Sequence, residues 1–215
     1  MKTLLLAVAM SAGLAGAASA EVHGAWTAAR GNDKDDRGRV YMHITRGMWQ
    51  NSLYTMKLAD YTGITLEQID SPTQVPVLFR LAREAGTITF EGSFRHGDGA
   101  GQFSFAPNRG YIDSLRAAGV AFELKRPSKK NQTEEELLFT LAQFDVSTAF
   151  IRSMQAEGYR ETLDMYFKMR LHGVTPDFVR QLKEEGYSNL PAKKLVALKI
   201  HGVDINFIRQ MNSIE

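Results

Sequence analysis

The chain has 215 residues, 26 Lys and Arg against 24 Asp and Glu, and 44% apolar residues, the make-up of a folded chain of one or two domains. A net charge of +2 is no footprint for nucleic acid or for an anionic membrane surface. With no cysteine anywhere, disulfides, thiolate metal sites, a cysteine nucleophile and a cysteine-linked lipid anchor are excluded.

Residues 1–20 read as a secretory leader. Lys2 supplies a short positive region, Leu4 to Ala18 a short apolar run, and Ala18-Ser19-Ala20 a small-residue cleavage site. The run is too short for a comfortable membrane span, and no later stretch reads as one. Cleavage after Ala20 would leave 25 basic residues against 24 acidic ones. The expectation is an exported protein, periplasmic or extracellular, with no stable membrane insertion and a core that must hold without disulfides.

Residues 21–106 carry a period of two. Val40, Met42 and Ile44 alternate with polar neighbours, as do Val77, Phe79 and Leu81, then Ile88, Phe90 and Phe94, then Gly101, Phe103 and Phe105. Such alternation predicts half-buried antiparallel strands, about six of them in a meander. Ala85-Gly86 and His96-Gly97-Asp98-Gly99 fall between runs and read as hairpin turns. The polar stretch Asn32 to Gly38 joins the first two strands. Tyr61 to Pro76 is a longer excursion in which Leu66 to Ile69 form a helical turn. The junction Phe105-Ala106-Pro107-Asn108 has no linker, so the sheet should pack directly on the first helical unit beyond it.

Residues 107–215 repeat themselves. Ser147, Thr175 and Asp204 stand 28 and then 29 residues apart, each in a helix-capping role, with Asn108 at the same place in a degenerate first copy. Pro176 suits the first helical position. Val146, Val174 and Val203 precede the caps, five residues before Ile151, Val179 and Ile208, the spacing of a hydrophobic staple. Positions 150, 151 and 154, with 178, 179 and 182 and with 207, 208 and 211, form one buried face, and Gly119, Gly158 and Gly186 end the helices. A second helix completes each unit, through Leu138, Phe139 and Leu141, then Tyr166, Phe167 and Met169, then Leu195, Val196 and Leu198. Helices of about ten residues span ~15 Å and are unstable alone, so the units have to lean on one another. Residues 205–215 read as a closing half-unit. The fold class expected is therefore α+β: an N-terminal antiparallel β-sheet, then a short right-stacked array of helix-turn-helix repeats.

His172–Arg180 (His-Gly-Val-Thr-Pro-Asp-Phe-Val-Arg) and Leu195–Val203 (Leu-Val-Ala-Leu-Lys-Ile-His-Gly-Val) resemble repeats of exported bacterial proteins. Similar repeats occur in the extracytoplasmic tails of membrane metallopeptidases of the beta-lactam-sensor type. Phe90-Glu91-Gly92-Ser93-Phe94 and Gly99-Ala100-Gly101-Gln102-Phe103 resemble the strand region ahead of such repeats. The resemblance covers residues 75–215 and implies architecture. The chain has no His-Glu-x-x-His motif, so the resemblance carries over no catalytic residue and implies no cofactor.

Candidate sites are set by position. Arg152, Arg180 and Arg209 share one repeat position and could clamp a partner's carboxylates, or pair with Glu157, Glu184 and Glu185. Lys125, Arg126, Lys129 and Lys130 form a basic insertion that could meet an anionic surface or simply be solvated. His172 and His201 share another repeat position: two imidazoles can begin a metal site, while a histidine at a helix C-terminus also suits the dipole. Trp26 and Trp49 could line a ligand surface or fill the core. Ser93, His96 and Asp98 lie together but lack a nucleophile elbow, and a turn accounts for them. The expected function is a non-enzymatic interaction module for an unknown protein or peptide partner. The alternatives are a ligand-sensing ectodomain working through the sheet, and a hydrolase with an unrecognised site.

Overall fold

The computed structural model describes residues 22–31, 39–46, 50–121 and 133–213. The leader, Trp49, and the basic insertion with Lys125, Arg126, Lys129 and Lys130 lie outside the described residues. Seven strands form one antiparallel sheet: β1 His23–Arg30, β2 Val40–Arg46, β3 Gln50–Met56, β4 Tyr61–Thr62, β5 Val75–Arg83, β6 Gly86–Arg95 and β7 Asp98–Pro107. The alternation marked β2, β5, β6 and β7; the expected count of about six falls one short of the seven described, β4 having only two residues and no period to read.

The order β3-β2-β1-β7-β6-β5-β4 is a meander whose first and last strands also pair. β3 and β4 are then the two sheet edges, yet only residues 57–60 separate them in the chain. A link that short spans at most ~17 Å. The sheet therefore curls until its edges face each other, and its inner face becomes a closed core. Phe79, Phe90 and Phe94 are 0% exposed there, and the Phe79 and Phe90 rings stack at 4.8 Å.

Trp26 lies across the middle of this core. Its register partner on β7 is Gly101, which in turn faces Gly92 on β6. A Cβ at Gly101 would stand 1.9 Å from the Glu91 carbonyl, and one at Gly92 would stand 2.8 Å from the indole. Gly92 thus leaves room for the ring while Gly101 lets β7 lie close against β6, and the indole Nε1–H donates to the Glu91 and Gln102 carbonyls at 3.2 and 3.1 Å. The β6–β7 hairpin turns through His96 and Gly97 at φ +52° and +88°, the two-residue turn whose twist matches its strands. Its amides pair with Ser71 and Ile69 at the end of a short helix, α1 (Leu66–Ile69), which carries a Thr65–Gln68 capping box.

Among the described residues seven further helices follow: α2 Gly110–Ala117, α3 Glu134–Gln143, α4 Thr148–Ala156, α5 Leu163–Leu171, α6 Pro176–Glu184, α7 Ala192–Ile200 and α8 Ile205–Asn212. Ser147, Thr175 and Asp204 accept from the amides of Phe150, Phe178 and Phe207, and Thr133 forms a capping box with Glu136. Asn108 departs from that pattern. It does not cap α2; its Nδ2 donates instead to the Glu84 carbonyl at 2.8 Å, binding the helix start to the β5–β6 turn. Where α5 and α7 end on Gly173 and Gly202, α3 ends on Asp145 at φ +50°, a conformation an aspartate tolerates better than most residues.

The sheet and the helices share one continuous cluster of buried residues. Phe139 of α3 stacks on Phe103 at 5.3 Å and meets Phe105 edge-on at 5.4 Å. Glu84 accepts the Thr148 amide at 2.9 Å, placing a carboxylate at the positive end of α4. Tyr111 donates its hydroxyl to the Val146 carbonyl, and burial, with Glu84 and Asp145 near by, pushes its ionisation upward.

Two substitutions test the packed slot. Trp26→Ala should lower the unfolding free energy by about 3–5 kcal/mol, the usual cost of emptying a core aromatic site. Gly92→Ala should cost about 1–3 kcal/mol through overpacking. Both are read from urea denaturation midpoints; a W26A protein within about 1 kcal/mol of the parent would show that the indole is not packed as described.

Candidate functional site

The three repeat-position arginines lie on one side of the helical part but are not alike. Arg180 reaches back to Glu157, the C-cap of α4, at 3.1 Å, and to Asp177 at 3.3 Å. Arg209 makes the equivalent contact to Glu185, the C-cap of α6, at 2.7 Å. Arg152 is exposed and has no ion pair to a described residue, since the corresponding C-cap of α2 is Ala118. Two of the three guanidinium groups are thus engaged within the chain.

A neighbouring position, unremarked in the sequence, does related work. Gln155 donates to the Ala118 carbonyl at 2.9 Å, Lys183 to the Glu157 carbonyl at 2.9 Å, and Asn212 to the Glu185 carbonyl at 3.5 Å. In each case a donor on one helix meets the last carbonyl of an earlier helix, the end where orphan acceptors and negative dipole coincide. The residue types differ, so no identity pattern reveals the position; its spacing of 28 and 29 residues is the only signal. Lys183 also binds the Glu157 carboxylate at 2.9 Å, and this hydrogen bond, with Arg180 beside it, holds that carboxyl below its ordinary range.

His172 and His201 are the C-caps of α5 and α7, in reach of those helices' negative ends. Among the described residues no three His, Asp or Glu side chains converge as a metal-binding group. Trp26, a candidate for a ligand surface, is 1% exposed and belongs to the packed interior instead. The reason is the room left at Gly92 and the two strand carbonyls that accept the indole N–H. Ser93 accepts from Gln74 at 2.9 Å, and His96 is held in the hairpin turn.

An open apolar feature lies between α6, α7 and α8. A groove of about 440 Å³ is lined by Leu182, Tyr187, Leu198, Val203, Phe207 and Met211. Phe207 and Met211 were expected on a buried helix face together with Ile208; they are 50% and 51% exposed. Sequence reasoning treated every copy of the repeat alike, whereas burial depends on what packs next to each copy. Among the described residues, no helix is long and apolar enough to cross a membrane.

Comparison with protein-family models, with curated proteins and with solved structures finds no match for this chain.

The Glu157 contacts carry a pH signature. Because the folded carboxyl ionises below its ordinary value of 4.5, its contribution is present at neutral pH and is lost as pH falls through the lowered folded value. Glu157→Gln should therefore cost up to about 1 kcal/mol at neutral pH, as an exposed ion pair does. That gap should close in acid, as followed by urea denaturation across the pH range; a gap that stays constant would show that the charge contributes nothing.

Proposed function

We propose that this chain is a non-enzymatic interaction module acting outside the cytoplasm. On this reading its helices form a short stacked array of helix-turn-helix units, and the array binds a protein or peptide partner. The observation that carries the reading is the open apolar groove on α6, α7 and α8, with Phe207 and Met211 half exposed at its wall. Soluble surfaces seldom leave large apolar side chains grouped in a concavity unless something binds there.

Three further points support it. The helix-to-helix hydrogen bonds from Gln155, Lys183 and Asn212 repeat at the interval of the sequence motif, as expected if each unit docks on its predecessor. α5 packs on α7 and α6 on α8, the neighbour pattern such stacking needs. The likeness of His172–Arg180 to repeats of exported bacterial proteins, together with the leader-like residues 1–20, favours an extracytoplasmic setting. The sheet offers less for a ligand-sensing role, because its inner face is filled by aromatic side chains and Trp26 is among them.

Site-specific photo-crosslinking in the native host tests this. A crosslinking residue at Arg152 on α4 or Lys193 on α7, both exposed, should capture a partner, and one at exposed Leu78 on β5 should not. Capture from Leu78 alone, or no capture from either helical position, would overturn the proposal.

A further inference from the structure

The four helices α2, α4, α6 and α8 carry the same apolar triplet: Tyr111, Ile112 and Leu115; Phe150, Ile151 and Met154; Phe178, Val179 and Leu182; Phe207, Ile208 and Met211. The first residue of each is 1%, 8%, 7% and 50% exposed, and the last 0%, 0%, 1% and 51%. Chemistry is constant along this series and burial is not. Among the described residues, nothing covers the last triplet as the earlier ones are covered.

The structure shows what that cover is. Over Phe150 lies α5, with the Tyr166 ring edge-on at 6.4 Å and the Arg170 guanidinium 5.1 Å from the ring centre. Over Phe178 the Lys199 ammonium of α7 stands 4.9 Å from the ring. Tyr166 and Arg170 are four residues apart on one helix face, and Leu195 and Lys199 repeat that pair one unit on. Arg170 also donates to the Phe144 carbonyl, the C-cap of α3, at 3.2 Å. The C-caps of α5 and α7 are His172 and His201, and no described residue donates to either carbonyl, so that bond is particular to Arg170 while the cation over the ring recurs. Beside Phe207 there is thus an aromatic face for a cation, and beside that the negative end of a helix.

We propose that the groove of α6, α7 and α8 receives an amphipathic helix from a partner protein, one with a bulky apolar residue followed four positions later by Lys or Arg. The proposal rests on the interaction-module reading and names the partner's chemistry. Such a helix would continue the interface the chain already uses internally. Its apolar residue covers Phe207 and Met211, and its cation lies over the Phe207 ring as Arg170 and Lys199 lie over Phe150 and Phe178. A second copy of this chain cannot readily supply it. Its own helices of that pattern keep the required face inside, with Tyr166 at 0% and Leu195 at 1% exposure.

The test uses the chain's own covering helix as the probe. A synthetic peptide with the sequence of residues 190–203, braced by a side-chain link between positions 193 and 197 because helices this short are marginal alone, is titrated into the intact protein by fluorescence anisotropy. Saturable binding is expected. Phe207→Ala and Met211→Ala in the protein should each weaken it by about tenfold or more, and a peptide carrying Lys199→Glu should lose it likewise. Both protein variants alter half-exposed side chains, and circular dichroism checks that they remain folded. Absence of binding, binding indifferent to Phe207 and Met211, or equal binding of the Lys199→Glu peptide would overturn the proposal. So would a dimer in sedimentation equilibrium that Phe207→Ala abolishes, since it would assign the groove to a second copy. If the groove fails but Arg152 or Lys193 still captures a partner in cells, the broader reading stands; if both fail, it falls too.

Discussion

The fold depends on one closure, the pairing of β1 with β7, and on the side chain that makes it close-packed. Gly101 and Gly92 stand side by side on β7 and β6, where Gly101 lets the two backbones approach and Trp26 of β1 fills the space that Gly92's absent side chain leaves. Its indole proton goes to two strand carbonyls, so the ring is polar-satisfied while fully buried. Without that closure β1 would be an edge strand, and β2 and β3 would hang from nothing. With it, the two true edges face each other across residues 57–60, and the sheet has an inside.

The inside is only half sealed by the sheet itself. The β5–β6 turn serves as the dock for the helical part: Glu84 holds the start of α4, its carbonyl takes Asn108, and Arg83 joins Asp60 at 2.6 Å and approaches Asp145 at 3.5 Å. Asp145 in turn takes Arg170 at 2.5 Å. A left-handed aspartate where the other units have glycine is thereby fixed by arginines from both sides. The helices lean on the sheet through charge-assisted contacts at helix ends as well as through the aromatic stack of Phe139 on Phe103.

From that dock outward, each helix is held by the previous one. The last carbonyl of α2, α4 and α6 is met by a donor from α4, α6 and α8, and the C-cap carboxylates Glu157 and Glu185 are met by Arg180 and Arg209. A carboxylate at a helix C-terminus is unfavourable by itself, so the arginine offsets a local cost and ties two helices at once. Arg180 and Arg209 thus act as internal fastening, while Arg152 is exposed with no ion pair to a described residue, and the interest moves to the apolar groove of α6, α7 and α8.

Much of this was legible in the chain. The period of two marked the strands, the His96-Gly97 turn came from its own residues, and Ser147, Thr175 and Asp204 announced their helices, because these are local effects decided within a few residues. What tertiary structure alone decided is what meets what across long separations. Asn108 looks like a cap but is claimed by Glu84; Trp26 could line a surface or fill the core, and the room at Gly92, more than sixty residues away in sequence, goes with the core. Phe150, Phe178 and Phe207 are the same residue in the same local frame, and only their neighbours make two of them core and one of them surface. Local propensity writes the helix and its apolar stripe; the free energy of covering that stripe belongs to whichever element arrives beside it, and no stretch of sequence carries that information alone.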